Sequence, residues 1–366
     1  MNRSSNFQGD TFHLAEHLKQ IFPEIDFFKE GPSAAEIKTN IVGKDGEYYL
    51  KAFTARGIKQ GATELELINL FNDFSKKTGS PFSGPEILDT CNTKDQLWFL
   101  MKDIIKSGKT ELLFSDIPQK ELLDLYTTYR ETFAAFESFS KGKFATEKAA
   151  VLQKMVSILR TLKKQIKGVE VKSGLINVTL KNLIPSKIGQ KIAERIEKGK
   201  IRVSKVMDYD EKELFLKFKE LKEAICSYHF EYTFGRFWTG HVFSDGKEHQ
   251  LVDFDNVGYQ LEGTEFLGMM RSNLLLSVHN YSSYDEWKLA FELWHQKLLE
   301  NTKDEALARL LLFQKLVGTI FMDFGYLIPL LPQNRDALIK KGLDPEIVAQ
   351  QGIQWNFQLL REIFYS

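Results

Sequence analysis

The chain has 366 residues, with 49 basic and 49 acidic side chains and a formal net charge of zero. This balance gives no electrostatic basis for DNA, RNA or an anionic membrane as the main partner. The length exceeds what one ordinary core accommodates, so we expect two lobes, and a hydrophobic content of 43% is enough to fill both. The two cysteines, Cys91 and Cys226, form no CxxC pair, which excludes a zinc ribbon or a disulfide framework and fits a reducing cytoplasm.

The sequence gives no indication of export or membrane insertion. Residues 1–18 lack the apolar core of a secretory signal. The most apolar stretch, 310–331, is interrupted by Gln314, Lys315 and Asp323, which predicts a buried helix rather than a membrane span. We therefore expect a cytoplasmic protein with no membrane partner.

The first hundred residues are predicted to be rich in β-structure. Apolar spacing predicts a helix at 11–21, strands at 25–31, 35–42 and 46–53, a helix at 61–75, and two strands within 81–105. We assign 1–103 to an N-terminal lobe that contains a five-stranded sheet and one helix.

From about residue 116 onward helices dominate the pattern. They are predicted at 119–140, 145–167, 187–199, 210–230, 263–278, 284–300, 304–325 and 344–363. Between them, 234–256 has strand-like spacing on both sides of the turn Asp245-Gly246. The order predicts an α+β fold in which 104–366 form a large, mostly helical C-terminal lobe with this one hairpin.

The β-rich part carries several candidate ligand-binding residues. The turn at 31–35 consists of small residues whose N–H groups could approach a polyphosphate, with Gly31 and Ser33 as the contacts, although an ordinary turn is the simpler interpretation. Lys51, on a strand, points its ammonium either into a cleft or into solvent. Glu64 and Glu66 begin the following helix, where either could pair with Lys51 or simply complement the helix dipole.

The segment 234–256 carries the most specific pattern. FGRFWTGHVF is followed by LVDFDN, so a loop, a short strand, a turn and a second strand end in acidic residues. Such a hairpin can present Asp253 to a metal ion, although aspartate and asparagine also favour turns for their own sake.

The order of these segments resembles the aminoglycoside and choline phosphotransferase branch of the protein-kinase-like superfamily. That branch carries H-G-D-x-x-x-x-N, then a hairpin and an apolar-apolar-D-F element, and FGRFWTGHVF with LVDFDN has the same frame. The resemblance implies a bilobal kinase-like fold in which Lys51 contacts the phosphates of ATP and Glu64 pairs with Lys51. It also implies that Asp253 holds Mg²⁺ and that main-chain groups around Met101 and Asp103 meet the adenine.

Two positions depart from that family pattern. Arg236 replaces the catalytic-loop aspartate, and His241 replaces the metal-binding asparagine. Arginine cannot accept the proton of a substrate hydroxyl, although it can stabilise charge on a transferring phosphoryl group. A metal site formed by Asp253, His241 and Asp255 would tolerate Mn²⁺ better than Mg²⁺, because magnesium prefers oxygen ligands. Either Asp255 or Glu231 could take over the role of the missing aspartate.

Three functions remain open on the sequence. The first is a kinase-like nucleotide-binding protein that transfers phosphate from ATP to a hydroxyl of an unidentified small molecule by an altered mechanism. The second is an inactive pseudokinase that binds a ligand or acts as a scaffold for a protein partner. The third is an enzyme that uses the same fold for nucleotidyl transfer. The retained Asp253 favours the first, Arg236 and His241 favour the second, and no feature selects the third.

Overall fold

The computed structural model describes residues 5–6, 36–43, 46–53, 57–92, 97–105, 107–140, 187–226 and 228–365. The predicted elements at 11–21, 25–31 and 145–167 lie outside these residues. Two of the predicted ligand-binding residues, Gly31 and Ser33, also lie outside them.

The described strands precede or interrupt a long series of helices. The strands are β1 Ser5–Asn6, β2 Glu36–Gly43, β3 Gly46–Phe53, β4 Phe82–Ser83, β5 Ile87–Asn92, β6 Leu97–Lys102, β7 Thr110–Glu111, β8 Phe230–Thr233, β9 Val242–Ser244, β10 His249–Leu251 and β11 Gly258–Leu261. The α-helices are α1 Ile58–Thr78, α2 Gln119–Phe139, α3 Lys187–Val206, α4 Glu211–Glu223, α5 Thr264–Met270, α6 Tyr284–Asn301, α7 Glu305–Gly318, α8 Ile328–Leu330, α9 Pro332–Lys340 and α10 Pro345–Phe364. Arg271–Leu275 and Thr319–Leu327 are π-helical, and Phe114–Asp116, Phe254–Asn256 and Val278–Asn280 are 3-10 turns. The predicted α+β class, with a β-rich first part and a mostly helical later part, is confirmed.

The described residues fall into two compact units. The first takes the described parts of 1–113, 123–144 and 232–258, and the second takes those of 114–122, 145–231 and 259–366. The division into lobes at residue 103 stays a prediction.

The main sheet of the first unit has the strand order β1-β2-β3-β6-β5. β1 runs parallel to β2, and the other neighbours are antiparallel. The register between β3 and β6 sets Lys51 opposite Phe99. Helix α1 lies close to both strands at Gly61, where an added Cβ would be 2.5 Å from the side chains of Phe53 and Leu97. Glycine therefore permits the close approach of α1 to the strand that carries Lys51.

A second sheet of the first unit, in the order β4-β10-β9-β7, contains the predicted hairpin. β9 and β10 are antiparallel, and the turn between them contains Gly246 at a φ of 89°, which glycine adopts without strain. The chain leaves β10 at Leu251 and enters the 3-10 turn Phe254–Asn256. Asp253 therefore lies just beyond the end of the hairpin.

The second unit is helical around the π-helical segment Thr319–Leu327. Helix α3 packs tightly against it at Gly199, where an added Cβ would be 2.0 Å from the carbonyl oxygen of Phe321. Trp287 of α6 is fully buried, and its indole N–H donates to the carbonyl of Leu274. These contacts give the second unit a core of its own.

One helical stretch among the described residues, Glu305–Leu330, is long and apolar enough to cross a membrane by length and composition. In the structure, 56% of its most apolar window is buried inside the protein. This burial is typical of the core helix that the sequence predicts, and the cytoplasmic location stays a prediction.

The predicted helix at 210–230 is wrong in its second half. Helix α4 ends at Glu223, and strand β8 begins at Phe230. The residues that follow α4 include Ile225 and Tyr232, and such β-branched and aromatic side chains favour a strand once the helical spacing is lost.

Candidate functional site

Lys51 is buried in the first unit and pairs with Glu64. Its ammonium lies 2.7 Å from both carboxylate oxygens of Glu64, and each side chain is 2% exposed. Glu64 follows Gly61 by three residues on the buried face of α1, whereas the other candidate, Glu66, is exposed. Replacing a buried ion pair by apolar residues is often neutral or stabilising, so stability does not explain why this pair is buried.

Asp253 reaches the same ammonium from a distant part of the chain. Its Oδ1 lies 2.9 Å from Nζ of Lys51, across a sequence separation of 202 residues. Its backbone has a φ of 72° and a ψ of 64°, and within the described ranges it is the one non-glycine residue with positive φ. Such a conformation costs about 1–3 kcal/mol and persists where the surroundings impose it, which is common at functional sites.

Arg236 binds Asp253 from the other side. Its Nη1 lies 2.5 Å from Oδ2 of Asp253, and its Nη2 lies 2.9 Å from Oδ2 of Asp255. Nε2 of His241 is 3.3 Å from the same Nη1. One guanidinium therefore gathers all three residues that the sequence predicts as metal ligands.

Aromatic packing holds the loop that carries Arg236. The ring of Phe237 stacks on Tyr129 with centroids 4.0 Å apart, and the Tyr129 hydroxyl accepts a 2.8 Å hydrogen bond from the N–H of Phe234. Both phenylalanines are fully buried, and Gly235 between them has a φ of 82°. Arg236 itself stays 26% exposed, so the anchored loop turns it away from the core and toward the carboxylates.

Asp255 reaches the site by a route that the sequence does not predict. If the strand continued past Asp253, the alternation of side chains would place Asp255 on the same side as Asp253. β10 instead ends at Leu251, and Asp255 lies in the 3-10 turn Phe254–Asn256. A left-handed residue followed by a tight turn therefore brings the two carboxylates to Arg236.

The arrangement does not fit a divalent metal ion. Magnesium needs a near-octahedral set of oxygen ligands at about 2 Å. Both oxygens of Asp253 and one oxygen of Asp255 instead contact protein cations. In the part of the chain that the structure describes, no group of three or more His, Cys, Asp or Glu side chains could hold a metal. Arg236 supplies the positive charge that a metal would bring to these carboxylates.

The charge of Lys51 is held by its two carboxylate partners. Burial alone would lower the pKa of Lys51, but Glu64 and Asp253 outweigh it and hold the pKa well above its usual range. Burial raises the pKa of Glu64, against the attraction of Lys51. The raised pKa of Lys51 keeps its ammonium charged throughout the neutral range.

A cavity of about 430 Å³ lies beside Lys51, within the first unit. Its apolar wall includes Ile68 and Val252, and it extends to Met101 and Asp103 at the end of β6. This volume is in the range of small-molecule and cofactor sites. The predicted adenine-contacting segment therefore lines the same cavity as the predicted phosphate-contacting lysine.

The lining of this cavity carries more negative than positive charge. Among the described residues its charged side chains are Lys51, Lys102, Glu64, Asp103 and Asp253. Two cations and three carboxylates leave one net negative charge. Lys102 is not among the residues predicted from the sequence, although its position between Met101 and Asp103 in the predicted nucleotide-contacting segment was a usable signal.

Among known proteins, similarity to this chain is found in solved structures only. No protein-family model matches the chain, and no curated protein matches it. An aminoglycoside phosphotransferase from Alicyclobacillus acidocaldarius aligns over 93% of this chain and 94% of its own, at 10% identity and a TM-score of 0.41. The choline kinase LicA from Streptococcus pneumoniae aligns over 96% and 99%, at 9% identity and a TM-score of 0.38.

A third similar structure is the amicoumacin kinase hAmiN in complex with AMP-PNP, Ca²⁺ and amicoumacin. It aligns over 98% of this chain and 95% of its own, at 11% identity and a TM-score of 0.42. These proteins are of the aminoglycoside phosphotransferase and choline kinase type that the motif order resembles. At such identities and TM-scores, the similarity carries no argument about activity, ligand or substrate.

Proposed function

We propose that this chain is a kinase-like nucleotide-binding protein whose nucleotide occupies the cavity beside Lys51. The observation that carries the proposal is the convergence of Lys51 with Glu64 and Asp253, at 2.7 Å and 2.9 Å. A strand lysine, a helix glutamate and an aspartate after a hairpin come from three separate segments. Kinases use such a set to position the phosphates of ATP.

The nucleoside end of the ligand would supply most of the affinity. The apolar wall of the cavity and the main chain from Met101 to Asp103 suit a purine, and ATP is the nucleotide that we expect, with GTP as an alternative. The phosphates would lie toward Lys51 and compete with Glu64 and Asp253 for its N–H donors. Because the lining has one net negative charge, each added phosphate gains little affinity.

Binding is expected not to depend on Mg²⁺ or Mn²⁺. The carboxylates that would hold such an ion are already neutralised by Lys51 and Arg236. A divalent ion would have to displace the guanidinium from two carboxylates before it could occupy this position.

The same contacts favour binding over phosphoryl transfer to a small-molecule hydroxyl. Arg236 cannot accept a proton at neutral pH. Of the two substitute bases, Asp255 is paired with Arg236, and Glu231 accepts the N–H of Gly263 in the second unit. Transfer without a base would depend on positioning and on charge stabilisation by Arg236, which is an altered mechanism.

The alternative is a pseudokinase that acts as a scaffold for a protein partner. The closed ion-pair network of Arg236, Asp253 and Asp255 favours it, because this network satisfies the acidic residues without any ligand. The two functions differ in whether a nucleotide binds at all.

Thermal unfolding of the full chain with ATP, GTP or adenosine, in chelator and in magnesium, tests the proposal. A ligand that binds the folded state raises the midpoint, and we expect a rise that is the same with and without the metal. Val252→Phe should remove the rise by filling the cavity, whereas Leu113→Phe, which enlarges an exposed side chain outside the cavity, should not. If no nucleoside or nucleotide raises the midpoint at millimolar concentration, nucleotide binding is wrong and the scaffold function is favoured.

A further inference from the structure

A second cavity, also of about 430 Å³, lies within the second unit. Residues of α5, the first π-helical segment and the helix at 311–327 line it. Its wall is largely apolar, and the polar side chains on it are Thr264, Arg271, Gln314, Lys315, Thr319 and Asp323. A few polar groups on an apolar wall are typical of sites for small molecules.

Arg271 and Asp323 form a forked ion pair on this wall. Nε of Arg271 lies 2.8 Å from Oδ2 of Asp323, and Nη2 lies 2.5 Å from Oδ1. Both residues begin π turns, because Leu276 donates to the carbonyl of Arg271 and Ile328 donates to that of Asp323. Single π turns inside α-helices are frequent at functional sites.

Lys315 adds a positive charge that this pair does not neutralise. It forms no hydrogen bond or ion pair with any described residue, and both oxygens of Asp323 are taken by Arg271. Two cations and one carboxylate therefore leave the described lining with one net positive charge. Burial and the charge of Arg271 lower the pKa of Lys315 to about 8, against the attraction of Asp323, so the ammonium is largely protonated at neutral pH.

Thr319 supplies an unused hydrogen-bond donor beside that charge. It is 1% exposed and lines the cavity, and its hydroxyl has no hydrogen-bond partner among the residues described. It follows Lys315 by four residues and therefore lies on the same face of the helix. Buried polar groups are nearly always paired, so an unpaired hydroxyl beside an unpaired ammonium indicates a missing acceptor.

We propose that this cavity binds a small amphipathic anion, namely a carboxylate with an apolar body. The carboxylate accepts hydrogen bonds from Lys315 and Thr319, and the body lies against Leu267, Leu311 and Leu327. A monoanion matches the single positive charge of the lining, and the apolar wall disfavours a fully hydrated ion such as inorganic phosphate. All of these residues belong to the second unit, so the proposal does not depend on the nucleotide cleft.

Calorimetric titration of the full chain with octanoate tests the proposal, with octanol and octylammonium as neutral and cationic probes of the same body. Octanoate should bind at least about tenfold more tightly than either, because a hydrogen-bonded charge gains that much over a neutral group. Equal binding of octanol and octanoate would overturn the proposal.

Two variants locate the binding on Lys315 and Thr319. Lys315→Met should weaken the binding of octanoate by about tenfold or more. Lys340→Met, at an exposed lysine of the same unit, should leave the affinity for octanoate unchanged. Thr319→Val should weaken the binding of octanoate by about fivefold. It should also raise the thermal midpoint of unfolding of the free protein, because it removes an unpaired buried hydroxyl. A purely structural threonine would not give these opposite effects. If Lys315→Met folds and binds octanoate as the wild type does, the proposal is wrong.

The pH dependence gives an independent readout. Octanoate affinity should fall as the pH rises through about 8, because Lys315 then loses its proton; the charged groups that face Lys315 are Arg271 and Asp323. An affinity that stays constant across this range would contradict a role for the Lys315 ammonium.

Discussion

Arg236 and Asp253 form an ion pair in which Nη1 lies 2.5 Å from Oδ2, while the other oxygen of Asp253 lies 2.9 Å from Lys51. The aspartate that the family resemblance assigns to a metal ion is thus enclosed between two cations of the protein. Arg236 stands at the position of the catalytic aspartate and also takes the place of the metal beside Asp253. Which ligands this cleft can bind therefore depends on whether the Arg236 guanidinium stays beside Asp253.

Removing the guanidinium should create a metal site. Arg236→Ala leaves Asp253 and Asp255 without their shared cation, and two carboxylates that converge on one cation can attract a divalent ion in its place. We expect the variant to bind Mn²⁺ at least about tenfold more tightly than the wild type, because one positive charge has been removed from the site. Electron paramagnetic resonance of free Mn²⁺ during a titration measures the difference.

The matched control removes a cation from another pair of carboxylates. Lys109 lies 3.3 Å from Asp245 and 3.4 Å from Glu248 in the same unit, outside the cavity lining. Lys109→Ala should leave Mn²⁺ affinity near that of the wild type. Equal Mn²⁺ binding by the wild type and Arg236→Ala would mean that Arg236 does not exclude the metal.

Lys51→Met should destabilise the fold strongly. It leaves the buried carboxylate of Glu64 without its partner, which costs about 3–5 kcal/mol. Lys51→Met combined with Glu64→Gln should recover part of this loss, because the uncompensated charge is gone. Urea unfolding of the three proteins measures the effect, and a double variant less stable than Lys51→Met alone would contradict the buried pair.

The left-handed backbone of Asp253 predicts that glycine at this position gives a more stable protein than alanine does. Asp253→Gly should be more stable than Asp253→Ala by about 1 kcal/mol, because glycine adopts a positive φ without strain. At Asp124, which is exposed on α2, the alanine variant should instead be more stable than the glycine variant by about 1 kcal/mol, because alanine is the better helix former. Denaturant unfolding of the four variants compares them, and the same order at both positions would argue against strain at Asp253.

Close packing of α3 in the second unit predicts a contrast between two helical glycines. Gly199→Ala should lower the free energy of unfolding by about 2 kcal/mol, because its Cβ would lie 2.0 Å from the backbone oxygen of Phe321. Gly318→Ala, which has no atom within 4 Å of its added Cβ, should be neutral or stabilising by up to about 1 kcal/mol. Thermal unfolding of both variants is the measurement, and equal effects would contradict the described contact.

The family resemblance implied that Lys51, Glu64 and Asp253 lie at one site, whereas the residues by themselves left Glu64 and Glu66 both open as partners of Lys51. The helical spacing of 119–140 and 344–363 likewise gave the bounds of α2 and α10 to within a residue or two. These features depend on local periodicity and on motif order, which a single sequence carries.

The rest depends on geometry that no local pattern encodes. The sequence shows that Arg236 replaces the catalytic-loop aspartate of the family pattern. It does not show that Arg236 contacts both Asp253 and Asp255, because that contact depends on a left-handed residue and a tight turn. The ion pair of Arg271 with Asp323 spans 52 residues, and the π turns on which both lie have no sequence signature at the level of periodicity. The cavity beside Lys315 therefore could not be predicted.

The affinity of the full chain for ATP in magnesium buffer, compared between the wild type and Asp253→Asn, tests the account of the cleft most directly. If Asp253 is a counter-ion of Lys51 and Arg236, the neutral amide reduces the negative charge of the lining and releases Lys51 toward the phosphates. Calorimetry should then show ATP bound about threefold to tenfold more tightly by the variant, with Asp124→Asn unchanged. A loss of affinity of about tenfold or more in Asp253→Asn would mean that Asp253 holds a metal on the phosphates, and would contradict the account.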